Sequence, residues 1–399
     1  MRKLLLTCLA GVLLTGCTPK QEPVVSSSPV PDTDPVYTEL DQTLDAFIND
    51  GDLLPQRLHD GTSISWTIIS GSAELYGHTI HKTEDSAEYE PVTLSAEVSG
   101  QSYTFDHLLL LDEYVAYVIS YFTNETDENL KLAYTYDSVY WFRLNSDQAV
   151  LSPSIGTKRF RDPSLIRKKD GSFAVIATQG YDTDSIYVYD SPDLLTFTGE
   201  RLAKVNYSSD TLKLSGKQAW APEGFYDRTL DEYVVYWSSV EDTGMYYNLT
   251  DDLVSFDPPE KLIDTGFPVI DGTICKQGDK YTIILKDERS PMQEYSQLFR
   301  GTSEHGWHDF KNFSEPFSGH QSEGPMIMKN LMGEDYYLFY DDYTRAQFKA
   351  YSVDDISTGA FQEIYQDILF IPLSAPAHSY ALPVTWRELE RMINHYGGI

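Results

Sequence analysis

The chain has 399 residues, with 61 acidic against 30 basic side chains, a formal net charge of −31 and a pI near 4.5. A surface this acidic repels a phosphate backbone, which excludes nucleic-acid binding as a function class. The apolar fraction of 41% suits a soluble globular protein with room for two or three domains, and 29 tyrosines, strand-favouring and amphipathic, point to an all-β chain.

At the N-terminus, Arg2 and Lys3 precede an apolar run from Leu4 to Leu14, broken only by Thr7 and Gly11. That run is too short for a permanent membrane helix and reads as an export signal over residues 1–16. It ends in Leu14-Thr15-Gly16-Cys17, which resembles the lipobox of bacterial lipoproteins. The resemblance implies that Cys17 is acylated, becomes the first mature residue and anchors the protein to the extracellular face of the cell membrane. Residues 17–35 are rich in Pro, Ser, Asp and Val without any period, and are expected to form a disordered tether. With Cys8 in the signal and Cys17 acylated, Cys275 has no disulfide partner, and its neighbours Thr273 and Ile274 put it on a buried strand. No zinc spacing occurs among the nine histidines.

Further along, Leu40, Leu44, Phe47 and Ile48 fall on one side of a short helix expected over Tyr37 to Ile48. Ser63–Ile68, Val92–Val98 and Tyr103–Phe105 then alternate like strands, punctuated by Gly61, Gly71, Gly77 and Gly100. The expectation is a small β domain over residues 36–112. Its words Leu54-Pro55, Ile64 to Gly71 and Val92 to Gly100 resemble the atrophied immunoglobulin-like modules that precede catalytic domains in some bacterial glycosidases. That resemblance implies a small sandwich acting as a spacer.

Residues 113–399 carry an internal repeat. Aromatic-rich strands at Tyr117–Phe122, Phe173–Thr178, Tyr233–Ser238, Tyr281–Lys286 and Tyr336–Asp341 recur every 48 to 60 residues. Strands and turns at that period predict the blades of a five-bladed β-propeller, since a single twisted sheet cannot bury both of its faces. Four of these strands follow an acid-bearing segment: Asp162-Pro163-Ser164, Pro222-Glu223-Gly224, Asp271-Gly272-Thr273 and Glu323-Gly324-Pro325. On innermost strands, at one repeated position, the four acids would converge on the central channel. The first repeat lacks such a segment, and His378 to Val384 would supply it, closing the ring and removing the last open sheet edge. Thr385 and Glu388 then cap a final helix with Leu389 and Met392 inward.

Converging carboxylates in a closed site cannot all ionise at neutral pH. A protonated one can donate to a leaving group while an ionised one activates water, the division of labour in glycoside hydrolysis. Trp220, two residues before Pro222, would offer an apolar face to a sugar ring or belong to the core. Lys286 and Glu288 would reach sugar hydroxyls or form a solvated turn pair. Calcium held by several acids in the channel is a competing reading of the same ring. No phosphate loop, serine elbow or Cys-His arrangement is present.

Arg161-Asp162-Pro163, Trp220-Ala221-Pro222-Glu223, Ile270-Asp271-Gly272 and Glu323-Gly324-Pro325 occur in the order of the motifs of family 43 glycoside hydrolases, which this stretch resembles from Tyr117 to Met392. The resemblance implies an inverting enzyme with Asp162 as general base, Glu323 as general acid and Asp271 tuning and orienting Glu323. The two catalytic carboxyls would then stand roughly 6.5–9.5 Å apart. It makes Arg161, Trp220 and Glu223 part of the substrate pocket. His378 would face the axis and hold a water or, through water, an ion, although relatives often read Arg-His-Gly where this chain has Ala377-His378-Ser379. Family substrates include α-L-arabinofuranosides, arabinan, β-xylosides and β-galactofuranosides; the layout before Asp162 looks most like the exo-acting arabinofuranosidases. The expectation is a monomer that needs no cofactor and acts on oligosaccharide or polysaccharide. The competing class is a non-catalytic glycan-binding propeller.

Overall fold

The computed structural model describes residues 34–124, 127–304 and 306–398, so the export signal and most of the tether, with Cys17, lie outside the described residues. The chain begins with a helix over Pro35–Thr43, capped by the Asp34 carboxylate on the Val36 N–H. This is shorter than the hydrophobic spacing predicts. Leu44 turns extended, and Phe47–Asn49 instead forms a strand parallel to Leu109–Leu111. Leu40, Leu44 and Ile48 still enter one core, because a helical turn followed by a strand can deliver the same apolar side chains to it. That strand completes a four-stranded sheet with Ser65–Ser70, Glu90–Val98 and Gln101–Leu111, beside a hairpin of Ala73–Tyr76 and Thr79–Lys82.

From Tyr114 onward the chain forms five radial sheets, the five blades of a propeller. The first combines the C-terminal strand Pro376–Thr385 with Tyr114–Thr123, Asp127–Thr135 and Trp141–Arg143. The other four begin with the strands Arg161–Arg167, Trp220–Asp227, Val269–Gln277 and Ser322–Lys329. Each of these innermost strands packs against the next, and Ser322–Lys329 packs against Pro376–Thr385, which closes the ring. The closure predicted for the His378 segment is therefore present, with Tyr380 opposite Ser120 and Leu382 opposite Val118.

The blades need one another because both of their faces are apolar. Leu165 and Val175 of the second blade face Val118 and Leu132 of the first, while Ile166, Ala174 and Ile176 face Val235 and Trp237 of the third. The same alternation repeats around the ring, ending with Met326 and Phe339 of the fifth blade against Tyr117 and Trp141 of the first. Continuously buried strands such as Phe173–Thr178 follow from this two-sided packing. The C-terminal helix Trp386–Tyr396 carries the expected capping box and buries Leu389 and Met392.

The N-terminal sheet is tied to the ring by Asp41 on Arg228, Asp45 on Lys276 and Glu88 on Arg391. Arg228 and Lys276 stand at the far ends of inner strands whose first residues carry the candidate acids. The N-terminal sheet therefore holds the face opposite those acids.

Candidate active site

Every inner strand carries one extra residue at the same level. The register slips by one between Arg161 and Ser164, Trp220 and Glu223, Ile270 and Thr273, Glu323 and Met326, and Ala377 and Tyr380. The first bulged residue is left-handed in all five: Asp162 at φ 48°, Ala221 at 45°, Asp271 at 53°, Gly324 at 55° and His378 at 23°. A non-glycine residue held there is strained, and such strain concentrates at sites the surrounding structure over-determines. Three of the five bulged residues, Asp162, Asp271 and His378, converge on one another through their side chains.

This changes one expectation. The four acids do not share one structural position. Asp162 and Asp271 sit on the bulge, Glu323 one residue before it and Glu223 two residues after. The connecting turns differ in length, so a spacing counted from the next strand cannot tell where each acid falls relative to the bulge. That offset sorts the acids by depth.

On the bulge level, His378 Nδ1 lies 3.6 Å from Asp162 Oδ1 and 3.9 Å from Asp271 Oδ1. Burial works against a charged imidazole, but Asp271, Asp162, Glu223 and Glu323 outweigh it and raise the His378 pKa. Burial in turn raises Asp271 to about 6, with His378 and Lys286 opposing and Glu323 and Asp162 assisting. Asp271 Oδ2 accepts the Gly324 N–H at 3.2 Å, fastening it to the backbone beside Glu323.

Glu323 carries a partner that sequence reasoning left open. The Lys286 ammonium donates to its Oε2 at 2.9 Å and pairs with Glu288 Oε2 at 2.8 Å. Lys286 is only 2% exposed, so it is not a solvated turn pair. It supports Glu323, and Glu288 supports it. Its ammonium also lies 5.3 Å from the Tyr343 ring centre.

Below this level, Glu223 is buried and accepts the Tyr236 hydroxyl at 2.6 Å, while that hydroxyl receives the Ile274 N–H. Burial raises Glu223 to about 7. It belongs to the floor of the channel. Above, Arg161 and Trp220 line the mouth. Arg161 pairs with Glu128 at 2.8 Å and lies between the rings of Phe122 and Tyr181. Trp220 donates its indole N–H to the Tyr181 carbonyl at 2.7 Å and stays partly exposed, so it is available to a ligand. Glu128 and Tyr181 were not foreseen, because neither belongs to a repeated segment.

Among the described residues no group of three or more His, Cys, Asp or Glu side chains is placed to hold a metal ion. The ring carboxylates face His378, Lys286 and Tyr236 instead, so the calcium reading of the channel finds no donor set here. Cys275 stands on the strand Val269–Gln277, and burial pushes its thiol up to about 12, which leaves no thiolate at neutral pH.

Residues 112–390, well over half of the chain, match a family model described as a probable glycosyl hydrolase domain of the family-43-related type. An α-L-arabinofuranosidase of Bifidobacterium longum subsp. longum is 28% identical over an alignment of 180 residues that covers 36% of this chain and 16% of that protein. The match thus spans less than a fifth of that relative. A solved family-43 β-1,3-galactosidase is 14% identical with a TM-score of 0.51, over 64% of this chain and 59% of that one, a likeness of fold. A thermostable family-43 glycoside hydrolase matches at 15% identity and a TM-score of 0.44, over 54% and 74% of the two chains.

Proposed function

Because the chain belongs to the family-43-related glycosyl hydrolases, we propose that it hydrolyses glycosides with inversion, releasing terminal α-L-arabinofuranosyl residues from arabinose-containing oligosaccharides. The observation that carries this reading is the strained bulge level, which collects Asp162, Asp271 and His378 and sets Glu323 beside them. Glu323 protonates the glycosidic oxygen, and Asp162 takes a proton from a water on the opposite face of the sugar. The His378 imidazole stands within 4 Å of both Asp162 and Asp271 and links the two carboxyls. Asp271 grips the Gly324 amide and so fixes the strand on which Glu323 rides. Trp220 and Tyr181 at the mouth support a sugar face.

The choice of arabinofuranose follows the partial likeness to the bifidobacterial enzyme and the exo-acting layout before Asp162. Its test is sugar release, resolved by product, from aryl α-L-arabinofuranoside, β-D-xyloside and β-D-galactofuranoside and from linear arabinan. Wild type and Glu323→Gln are run side by side. Arabinose from the aryl arabinofuranoside, lost in the variant, is expected; an oligosaccharide ladder from arabinan would make the enzyme an endo-arabinanase, and another monosaccharide would move the specificity. Binding without release from any substrate would favour a glycan-binding propeller.

We also infer a lipid anchor at Cys17 on the extracellular face, with the N-terminal sheet an immunoglobulin-like spacer between membrane and propeller. Labelled palmitate should enter the wild-type protein in a bacterial host and not Cys17→Ser. Labelling of both, or of neither, would remove the anchor.

A further inference from the structure

The residue immediately before the bulge is, in ring order, Ala377, Arg161, Trp220, Ile270 and Glu323. Ala377 and Ile270 are apolar and buried. The Glu323 strand packs against those of Ala377 and Ile270, while the strands of Arg161 and Trp220 pack against each other. In a ring of five, Arg161 and Trp220 therefore form the side that faces Glu323 across the axis.

Tyr181, in the turn between Phe173–Thr178 and Ser185–Ser191, spans that side. Its carbonyl accepts the Trp220 indole N–H at 2.7 Å, and the two rings meet edge to face at 6.2 Å. The Arg159 and Arg161 guanidiniums lie 4.6 and 5.0 Å from its ring centre. Glu128 of the first blade gathers both: Oε1 accepts Arg161 Nη1 at 2.8 Å and Arg159 Nη2 at 2.7 Å, and Oε2 accepts Arg159 Nε at 2.5 Å. The Glu128 carbonyl also accepts the Phe160 N–H at 2.9 Å, which fixes the two strands side by side.

The Glu128 and Arg161 side chains are 10% and 13% exposed, yet Tyr181 is 49% exposed. A ring held by an indole and two cations has little freedom left to lose, so a ligand that stacks on it meets a small ordering cost. Among the described residues Glu128 is the only acceptor bonded to Arg161, so its Nε and Nη2 keep N–H groups for a hydroxyl. An aromatic face beside directed donors suits a neutral sugar, with C–H groups on the ring and hydroxyls on the guanidinium.

We propose that Tyr181 is a specificity-determining residue that touches the glycone, the sugar whose bond is broken, and that Glu128 is the positioning residue that holds it there through Arg159 and Arg161. This rests on the glycosidase reading. Inversion places the attacking water and the leaving group on opposite faces of the reacting carbon. Arg161 precedes Asp162, the base, on one strand, whereas Glu323, the acid, serves the leaving group from across the axis. Tyr181 therefore lies on the side of the water and acts on the glycone.

The test is kcat and KM for two series of substrates: one glycone on several leaving groups, from aryl to sugar, and several glycones on one aryl group. In Tyr181→Ala, kcat/KM for the preferred glycone should fall about tenfold or more, by one factor whatever the leaving group, and selectivity among glycones should fall with it. Tyr181→Phe keeps the ring and should retain most of both. Glu128→Ala should lower the same selectivity, and adding Tyr181→Ala in that background should cost less than about threefold more, because the ring has already lost its hold. Losses that multiply would make Glu128 merely structural. A Tyr181→Ala loss confined to sugar leaving groups would place the ring on the leaving group and overturn the proposal, as would unchanged selectivity in a wild type that hydrolyses. A folded wild type that hydrolyses no substrate of either series removes the glycosidase reading and this inference with it.

Discussion

Replacing Lys286 by methionine removes a buried cation from the candidate acid while keeping most of the side-chain volume. At the 2.9 Å separation from Glu323, unit charges attract by ~1.4 kcal/mol in a water-like dielectric and by ~6 kcal/mol at an effective dielectric near 20. The Lys286 side chain is 3% exposed and that of Glu323 26%, so the pair lies between these limits. Lys286→Met leaves Glu323 and Glu288 without their shared ammonium, and Glu323 loses its aim: kcat should drop by about tenfold to a hundredfold on a poor leaving group and less on an activated one. Lys286→Arg retains the charge and should keep most of the activity on both. The assay is kcat and KM on the two substrates for wild type and both variants. An undiminished kcat of Lys286→Met on the poor leaving group would show that the ammonium does not act on the acid.

Three further outcomes follow from the packing. Gly324→Ala places a Cβ at 2.9 to 3.1 Å from the ring and backbone of His378, at a φ of +55°; activity should fall at least about tenfold with melting lowered by only a few degrees, and a fully active variant would mean that the bulge does not set the site. Arg167 donates to Glu388 Oε1 at 2.6 Å and Oε2 at 3.0 Å in a buried pair also joined by Tyr89, so Arg167→Leu should cost about 3–5 kcal/mol in urea unfolding and Arg167→Leu with Glu388→Leu much less; equal losses would count against an uncompensated charge. Burial raises Glu223 to about 7, so the native state holds a proton that the unfolded chain has lost above its ordinary carboxylate range. That contribution is complete at low pH and disappears as pH rises through about 7. Glu223→Gln should accordingly flatten the fall in melting temperature between about pH 4.5 and about pH 7, and an unchanged slope would show that Glu223 does not hold this proton.

What the sequence could reveal depended on repetition. A blade must bury two faces, so its strands are apolar throughout and recur at a fixed spacing, and five such strands were legible together with the segment that closes the ring. Asp162, Asp271 and Glu323 were legible because they sit in short motifs at the head of inner strands. The bulge was not: an extra residue leaves no mark on composition, and only the paired register exposes it. Every inner strand carries it, and the offset of each acid from it separates Asp162 and Asp271 on the bulge from Glu323 one residue before and Glu223 two residues after. Support for the acids was hidden for a related reason. Asp341 ends a strand reading Tyr336-Tyr337-Leu338-Phe339-Tyr340-Asp341, where a carboxyl looks like the start of a solvated turn. It is 2% exposed, and its neighbours Glu323 and His378 lie on two other strands, the second of them the C-terminal strand that completes the first blade. Lys286 carries the same ambiguity in Leu285-Lys286-Asp287-Glu288. Motifs therefore locate the candidate acids on the inner strands, whereas the groups around them are fixed by contacts between strands and blades. The arrangement of this site is consequently a property of the closed ring, and a variant that loosens the closure between Ser322–Lys329 and Pro376–Thr385 should lower activity, by displacing His378 from Asp162 and Asp271, before it abolishes the fold.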